Sequence, residues 1–522
     1  MSGPFEGRRF SWFRLVVVVA VVGAIGVGAF LWFRWFQDGQ VAAHEGEPWF
    51  AGYVDVTATP TYAMESASAD GTEHVVLAFV VAPETGGCAP TWGGVLSLDD
   101  AASQLDLDRR IVRMTDVGRE IVVSFGGQRG TELAEECTSV SALADAYREV
   151  VDRYDAPVVD LDLEGAGLSD TAAMDRRAAA IAAIQSERED TSRPLRVWLT
   201  LPVGTSGLTA EGAAAVRTFL EAGVDLAGVN VMTMDFGTLT AGTSMAEAAE
   251  SALTATHRQL GALWADAGMG IGSRALWRKL GATPMIGQND VRGEVFGLDD
   301  ARELNRFALE VGLGRMSMWS LNRDAQCSPN YPDPRIVSDA CSGVEQGDER
   351  FSTILSAGFD GAPTTSATPT AAPTVVPDDP ATSPYPIWSP EASYPAGTKV
   401  VWRGTVYVAK WWSQGDQPDD PTVPADSSPW RLVGPVLPGE TPAPQPTLPA
   451  GFYPDWDPAT VYTAGDRVML DGVAFEARWW NQTSSPESAL VDPGASPWRR
   501  LTDDEIRILL GEPVESPAAV TG

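Results

Sequence analysis

Short apolar runs alternate with longer stretches of helical period across residues 46–345. The runs Phe50–Val54, Val75–Val80, Glu120–Ser124, Val158–Leu163, Arg196–Leu201, Gly228–Met232, Thr283–Ile286 and Met316–Ser320 have the length and composition of strands. Between them, Ser139–Tyr154, Thr209–Ala222, Ala246–Ala267 and Leu298–Val311 bring apolar residues back every three or four positions, as amphipathic helices do. Eight such β-then-α units over about 300 residues predict an α/β fold, a closed (β/α)8 TIM barrel rather than an open sheet.

The pattern changes at both ends. Leu15 to Phe33 form 19 consecutive uncharged, mostly apolar positions, enough to cross a hydrocarbon core of ~30 Å as a helix. Arg8, Arg9 and Arg14 precede this run and only Arg34 follows closely, so residues 1–14 are expected in the cytoplasm and 15–33 as a transmembrane signal anchor. The alternative is secretion after cleavage near Val41-Ala42-Ala43; in either case the remainder lies outside the cell membrane.

Beyond the barrel, expected over 46–358, residues 359–384 read as a Pro/Thr linker. Two small units follow, 385–434 and 452–502, separated by a Pro-rich spacer over 435–451 and followed by a tail, 503–522. The two units are an internal repeat with a constant offset of 68. It pairs Trp388 with Trp456, Tyr394 with Tyr462, Gly404 with Gly472, Trp411-Trp412 with Trp479-Trp480, and Trp430 with Trp498. Units this small hold little core, so each is expected to be a minimal all-β fold. In Val406–Trp412 a regular strand would turn Trp411 and Trp412 to opposite faces, leaving one of each Trp pair on the surface for stacking on sugar rings.

Charge removes several function classes. Lys plus Arg is 37 against 70 Asp plus Glu, a net −33 that repels phosphate backbones and makes nucleic acid a poor partner. The three histidines, His44, His74 and His257, form no metal-ligating spacing and argue against a Ser-His-Asp triad; no metal or cofactor is expected. The four cysteines contain no C-x-x-C pair and suit disulfides in an exported chain. The simplest pairing is Cys88–Cys137 with Cys327–Cys341, one of three possible connectivities.

The chemistry concentrates in Pro157-Val158-Val159-Asp160-Leu161-Asp162-Leu163-Glu164-Gly165. Period two places Asp160, Asp162 and Glu164 on one face of the strand and Val159, Leu161 and Leu163 on the other. In a barrel the leucine face meets the helices and the acidic face turns inward, where like charges and burial are expensive unless function needs them. Glu164, last on the strand, falls at the end of the barrel where active sites form. The charge of its neighbouring carboxylate is expected to keep it protonated as a general acid. No separate carboxylate is evident as a nucleophile, which suits a substrate that carries its own.

The D-L-D-L-E-G run resembles the D-x-x-D-x-D-x-E signature of glycoside hydrolase family 18, the chitinases. Ser124-Phe125-Gly126-Gly127 is similar to that family's S-x-G-G motif, Met232-Thr233-Met234-Asp235 to its M-x-Y-D motif, and Trp319 to the Trp of its last strand. The repeats resemble family 5/12 chitin-binding modules, whose A-K-W-W stands here as Ala409–Trp412 and, altered, as Ala477–Trp480. The resemblance implies hydrolysis of β-1,4-linked N-acetylglucosamine with retention, Glu164 as acid and base, and Asp162 orienting the 2-acetamido group that attacks its own anomeric carbon, with Asp160 behind it. Trp319, Asp235, Met232, Met234, Tyr53, Ser124 and Gln288 are the expected substrate contacts, with Asn289 and Asp55 as further cleft candidates. Trp411, Trp412, Trp479, Trp480 and Tyr407 are expected to bind polymer in the modules. Two positions depart from the family pattern: Pro157 replaces its first Asp and Met234 its Tyr. The partners implied are chitin and chito-oligosaccharides, acted on by a monomer. The alternatives are a non-catalytic glycan receptor and an endo-β-N-acetylglucosaminidase acting on other glycans.

Overall fold

The computed structural model describes Trp12 and residues 46–511, apart from 67–72, 190, 192, 332, 365–377, 381, 421–422, 424–426, 438, 442–446 and 492–495. The expected membrane span at 15–33 lies outside the described residues. Among those described, no helix is long and apolar enough to cross a membrane.

Eight parallel strands close into a barrel. They are β1 (Trp49–Phe50 and Gly52–Asp55), β2 (Val75–Val81), β3 (Ile121–Gly126), β4 (Val158–Asp162), β5 (Arg196–Gly204), β6 (Leu226–Met232), β7 (Leu280–Thr283) and β8 (Arg315–Met316). The ring shuts because β1 changes partner along its length. Trp49 and Phe50 pair with Arg315 and Met316 of β8, while Gly52–Asp55 pair with Val75–Ala78 of β2. The packing helices are α1 (Leu107–Thr115), α2 (Val140–Arg153), α3 (Thr171–Arg188), α4 (Ala210–Glu221), α5 (Met245–Asp266), α6 (Leu298–Val311) and α7 (Phe351–Ser356). Among the described residues, the β1–β2 connection contains no helix.

The last two strands depart furthest from their expected limits. The seventh was expected at Thr283–Ile286 and ends instead at Thr283, because Pro284 offers no N–H to continue the ladder. The eighth is two residues long, with pairing resumed at an isolated Met285–Trp319 bridge. That interruption carries Trp319 to the mouth of the barrel.

Packing separates the two faces of each strand. Val159, Leu161 and Leu163 join the large core between strands and helices, whereas Val158 joins Trp49, Tyr53, Val76, Val122 and Trp198 inside the ring. Asp160 and Asp162 follow Val158 on that inner face and are buried. Both disulfides, Cys88–Cys137 and Cys327–Cys341, are present. The chain stays on the barrel six residues past the expected boundary at 358: Arg196 Nη1 donates to the Pro363 carbonyl at 2.8 Å, and the Thr364 amide donates to Glu120 at 2.8 Å.

Each repeat contains a three-stranded antiparallel sheet: β9 (Lys399–Trp402), β10 (Thr405–Ala409) and β11 (Trp430–Pro435), then β12 (Arg467–Leu470), β13 (Val473–Ala477) and β14 (Trp498–Arg500). The expected tail begins instead as helix α8 (Asp503–Leu510), started by a capping box between Thr502 and Glu505. Its Ile506 is buried in a small cluster with Met469, Ala474 and Leu501 of the second repeat.

One close approach locks β3 against β4. Gly126 has φ of +100°, and a Cβ there would sit 2.1 Å from the Asp162 carbonyl oxygen. Gly126→Ala is therefore expected to destabilise the barrel by more than about 2 kcal/mol, measured by urea unfolding.

Candidate active site

Asp160 is the deepest acid of the row, and four donors saturate it. Its Oδ2 accepts from Tyr53 Oη and Ser124 Oγ, both at 2.8 Å. Its Oδ1 accepts from Thr200 Oγ1 at 2.6 Å and Arg315 Nη1 at 2.7 Å. These partners come from β1, β3, β5 and β8, so one carboxylate ties together strands around the ring. Arg315 is fully buried, donates to Ser317 Oγ at 3.0 Å, and lies 5.2 Å and 5.4 Å from the ring centres of Trp49 and Trp198. A charge placed there without a counter-ion would be prohibitive, and the pair satisfies both members.

Asp162 lies one pleat nearer the mouth and has no such cage. Among the described residues its Oδ1 is buried without a hydrogen-bond partner. Burial, then the charges of Glu164 and Asp160, push its carboxyl well above the usual carboxylate range against the pull of Arg315. Glu164 is half-buried at the lip, where burial, then the charges of Asp235 and Asp290, push it up to about 7. The sequence reading assigned that rise to the adjacent acid of the row. The structure assigns it first to burial and then to two acids from the loops after β6 and β7.

These groups line a cleft of about 410 Å³ with Tyr53, Phe79, Met232, Met234, Asp290 and Trp319. The Phe79 and Trp319 rings stack at 5.4 Å and 20° and form an aromatic wall. Asp235 is in the left-handed region at φ +50°; its Oδ1 accepts from the Val291 amide at 2.8 Å, and burial raises its carboxyl. Asp235, an expected substrate contact, and Asp290, which was not expected, both reach the cleft.

Two expected substrate contacts and both further cleft candidates fall elsewhere. Ser124 is fully buried and bonds to Asp160, so it acts behind the cleft rather than in it. Gln288 is absent from the cleft lining: its side chain packs toward Gly343, while its carbonyl accepts from Arg323 Nη2 at 2.6 Å. Asn289 is a loop clamp, donating to the carbonyls of Met285 at 2.8 Å and Gly287 at 3.2 Å. Asp55 accepts from the amide and hydroxyl of Thr57 and holds a turn. Sequence reasoning missed Arg315, Thr200, Phe79 and Asp290. A signal for Arg315 existed, since Arg315, Ser317 and Trp319 stand at alternate positions of one run.

In the repeats, both members of each Trp pair are exposed: Trp411 at 46%, Trp412 at 61%, Trp479 at 44% and Trp480 at 63%. The expected one-in, one-out split fails because β10 and β13 end at Ala409 and Ala477, releasing the pairs from strand alternation. Lys410 and Arg478 lie over the first ring of each pair, at 4.7 Å and 4.9 Å. Tyr407 is not a surface contact; it is buried in the first repeat's core, where the second repeat has Phe475.

Comparison with known proteins agrees with this anatomy. Residues 455–499 match carbohydrate-binding module family 5/12. Over 283 residues the chain is 34% identical to a probable bifunctional chitinase/lysozyme of Escherichia coli K12, covering 53% of this chain and 31% of that protein. It is 32% identical over 283 residues to endochitinase 11 of Metarhizium anisopliae, covering 53% and 52%. The chain thus spans from about a third to about half the length of these curated relatives. The catalytic domain of a hyperthermophilic chitinase from Pyrococcus furiosus superposes with a TM-score of 0.51 at 28% identity, covering 60% of this chain and 95% of that one. The chain therefore combines a chitinase-like barrel with a C-terminal carbohydrate-binding module.

Two outcomes test the electrostatics. Arg315→Met leaves the Asp160 charge buried and uncompensated, and is expected to cost about 3–5 kcal/mol in urea unfolding at pH 7. Asp290→Asn removes a negative charge facing Glu164, so the Glu164 carboxyl should ionise at lower pH. The acid form of Glu164 is full below about 7 and lost above it, so the alkaline limb of kcat/KM is expected to move to lower pH in this variant.

Proposed function

We propose that the chain is a chitinase that hydrolyses β-1,4-linked N-acetylglucosamine polymers with retention through a substrate-assisted mechanism. The carrying observation is the acid row of β4: one carboxylate locked by Arg315, one buried with an unpartnered oxygen, and one at the lip held up to about 7 beside an aromatic wall. The similarity to proteins named as chitinases and to a carbohydrate-binding module supports the substrate class.

In this reading Glu164 gives its proton to the glycosidic oxygen as the bond from that oxygen to the anomeric carbon breaks. The 2-acetamido carbonyl oxygen of the same sugar bonds to the anomeric carbon from the opposite side, forming an oxazolinium ion. Asp162 orients and stabilises the acetamido group. Water then attacks the anomeric carbon, Glu164 takes its proton, and the acetamido group is released with retained configuration. Asp235 and Asp290 are assigned an electrostatic part, holding the proton on Glu164. Asp235 already accepts the Val291 amide, which ties it to the loop and away from nucleophilic attack.

Both repeats are proposed as chitin-binding modules, each through its exposed Trp pair, giving two weak sites whose simultaneous engagement raises avidity. The apolar run at 15–33 supports attachment of the chain to a membrane with its barrel outside the cell. Met234, a thioether where the resembled family has a hydroxyl, favours the second reading of a glycan receptor.

Hydrolysis of chitotetraose separates the two readings. The parent is expected to release chitobiose, with Glu164→Gln slower by about 10²–10⁴-fold. An oligomer lacking the 2-acetamido group should resist cleavage. Binding without hydrolysis by both parent and variant would favour the receptor.

A further inference from the structure

The two repeats share a framework but cover its back face differently. In the first repeat Val401, Val406 and Val433 form a small buried cluster behind the sheet, and β11 packs against the barrel helix α1. At the equivalent positions, 68 residues on, the second repeat has Met469, Ala474 and Leu501, and here the cover is its own helix α8 through Ile506, Leu509 and Leu510.

The polar contacts repeat this exchange. Arg431 of the first repeat reaches the barrel's Glu65 at 3.2 Å, a fully buried carboxylate that also holds Arg110 at 2.8 Å. Its equivalent, Arg499, pairs with Glu505 of α8 at 2.7 Å. Lys399 pairs with the barrel's Asp106 at 2.7 Å, whereas its equivalent Arg467 pairs with Glu476 inside the second repeat at 2.8 Å. One position decides how close the cover can come. A Cβ on Gly434 would lie 2.6 Å from the Arg109 carbonyl oxygen of α1, while its equivalent in the second repeat is Thr502, the capping residue of α8.

We infer that the first repeat is a built-in part of the catalytic body, using α1 as its missing helix, whereas the second repeat with α8 is a self-contained binding domain. A sheet this small needs a cover to bury its back face, and the two copies obtain one from different places. Building on the chitinase reading, the two Trp pairs then act differently on polymer. Trp411 and Trp412 stand at a fixed position relative to the cleft and guide a chain that the barrel is cutting. Trp479 and Trp480 raise local concentration only.

The test uses the full chain with Gly434→Thr, a residue the repeat framework already carries at position 502. Amide exchange across Leu107–Thr115 is expected to quicken about tenfold or more as the first repeat lifts from α1, with β12–β14 unchanged. Arg431→Glu, which sets a like charge beside Glu65, should loosen the same helix. Arg499→Glu should loosen α8 and leave α1 protected. Unchanged exchange of α1 in both first-repeat variants overturns the docking. This readout needs no substrate, so it stands or falls separately from the chitinase reading. On substrate, Gly434→Thr is expected to slow hydrolysis of insoluble chitin severalfold and leave chitotetraose unaffected. Loosened exchange with unchanged polymer hydrolysis overturns the guiding role.

Discussion

A carboxylate inside a closed barrel has nowhere to shed its charge, and the interior is arranged around that fact. Asp160 recruits a hydroxyl from β1, one from β3, one from β5 and the guanidinium of Arg315 from β8. Arg315 in turn lies against two indole rings that pack edge to face. Hydrogen bonds between Asn230 and Thr200 at 3.0 Å, and Asn230 and Thr283 at 2.7 Å, extend the same network to β6 and β7. Because each member is satisfied only in one register, the polar ring rigidifies the floor beneath the cleft.

From that floor the acid row runs outward along one strand through three environments. Asp160 is matched by a cation, Asp162 is buried and short of donors, and Glu164 meets both solvent and the loop acids. Environment rather than residue type separates their roles, as general acid catalysis near neutral pH requires. The loops after β6 and β7 complete the gradient. Asn289 and the Val291 amide hold Asp235 in place, so a strained backbone at Asp235 is fixed from the neighbouring loop.

The C-terminal repeats show how little a small β unit can do alone. Each buries one aromatic core within itself and a second, smaller cluster on the face that a helix helps to cover. A barrel helix supplies that help once and an appended helix supplies it once. The exposed Trp pairs remain on both copies, since the strand ends that present them do not depend on what covers the back.

Much of this was legible in the chain. Period two along Val158–Leu163 places the acids inside and the leucines outside, a geometry any strand imposes. The constant offset of 68 reveals the repeat, and the simplest of three possible cysteine pairings is the one present. What failed depended on neighbours remote in sequence. The Trp pairs both face solvent because the strands stop at Ala409 and Ala477, Tyr407 turned inward, and Gln288 turned toward Gly343. Arg315 and Asp290 acquire their meaning only when the ring closes, bringing residues 155 and 126 positions away to Asp160 and Glu164. Local periodicity is a property of a few residues in a row, so the face that carries the acids can be read from the chain without its fold. Coulomb interaction and burial act through space, so the rise of the Asp162 and Glu164 carboxyls, the cation that meets Asp160 and the helix each repeat leans on all follow from the folded ring.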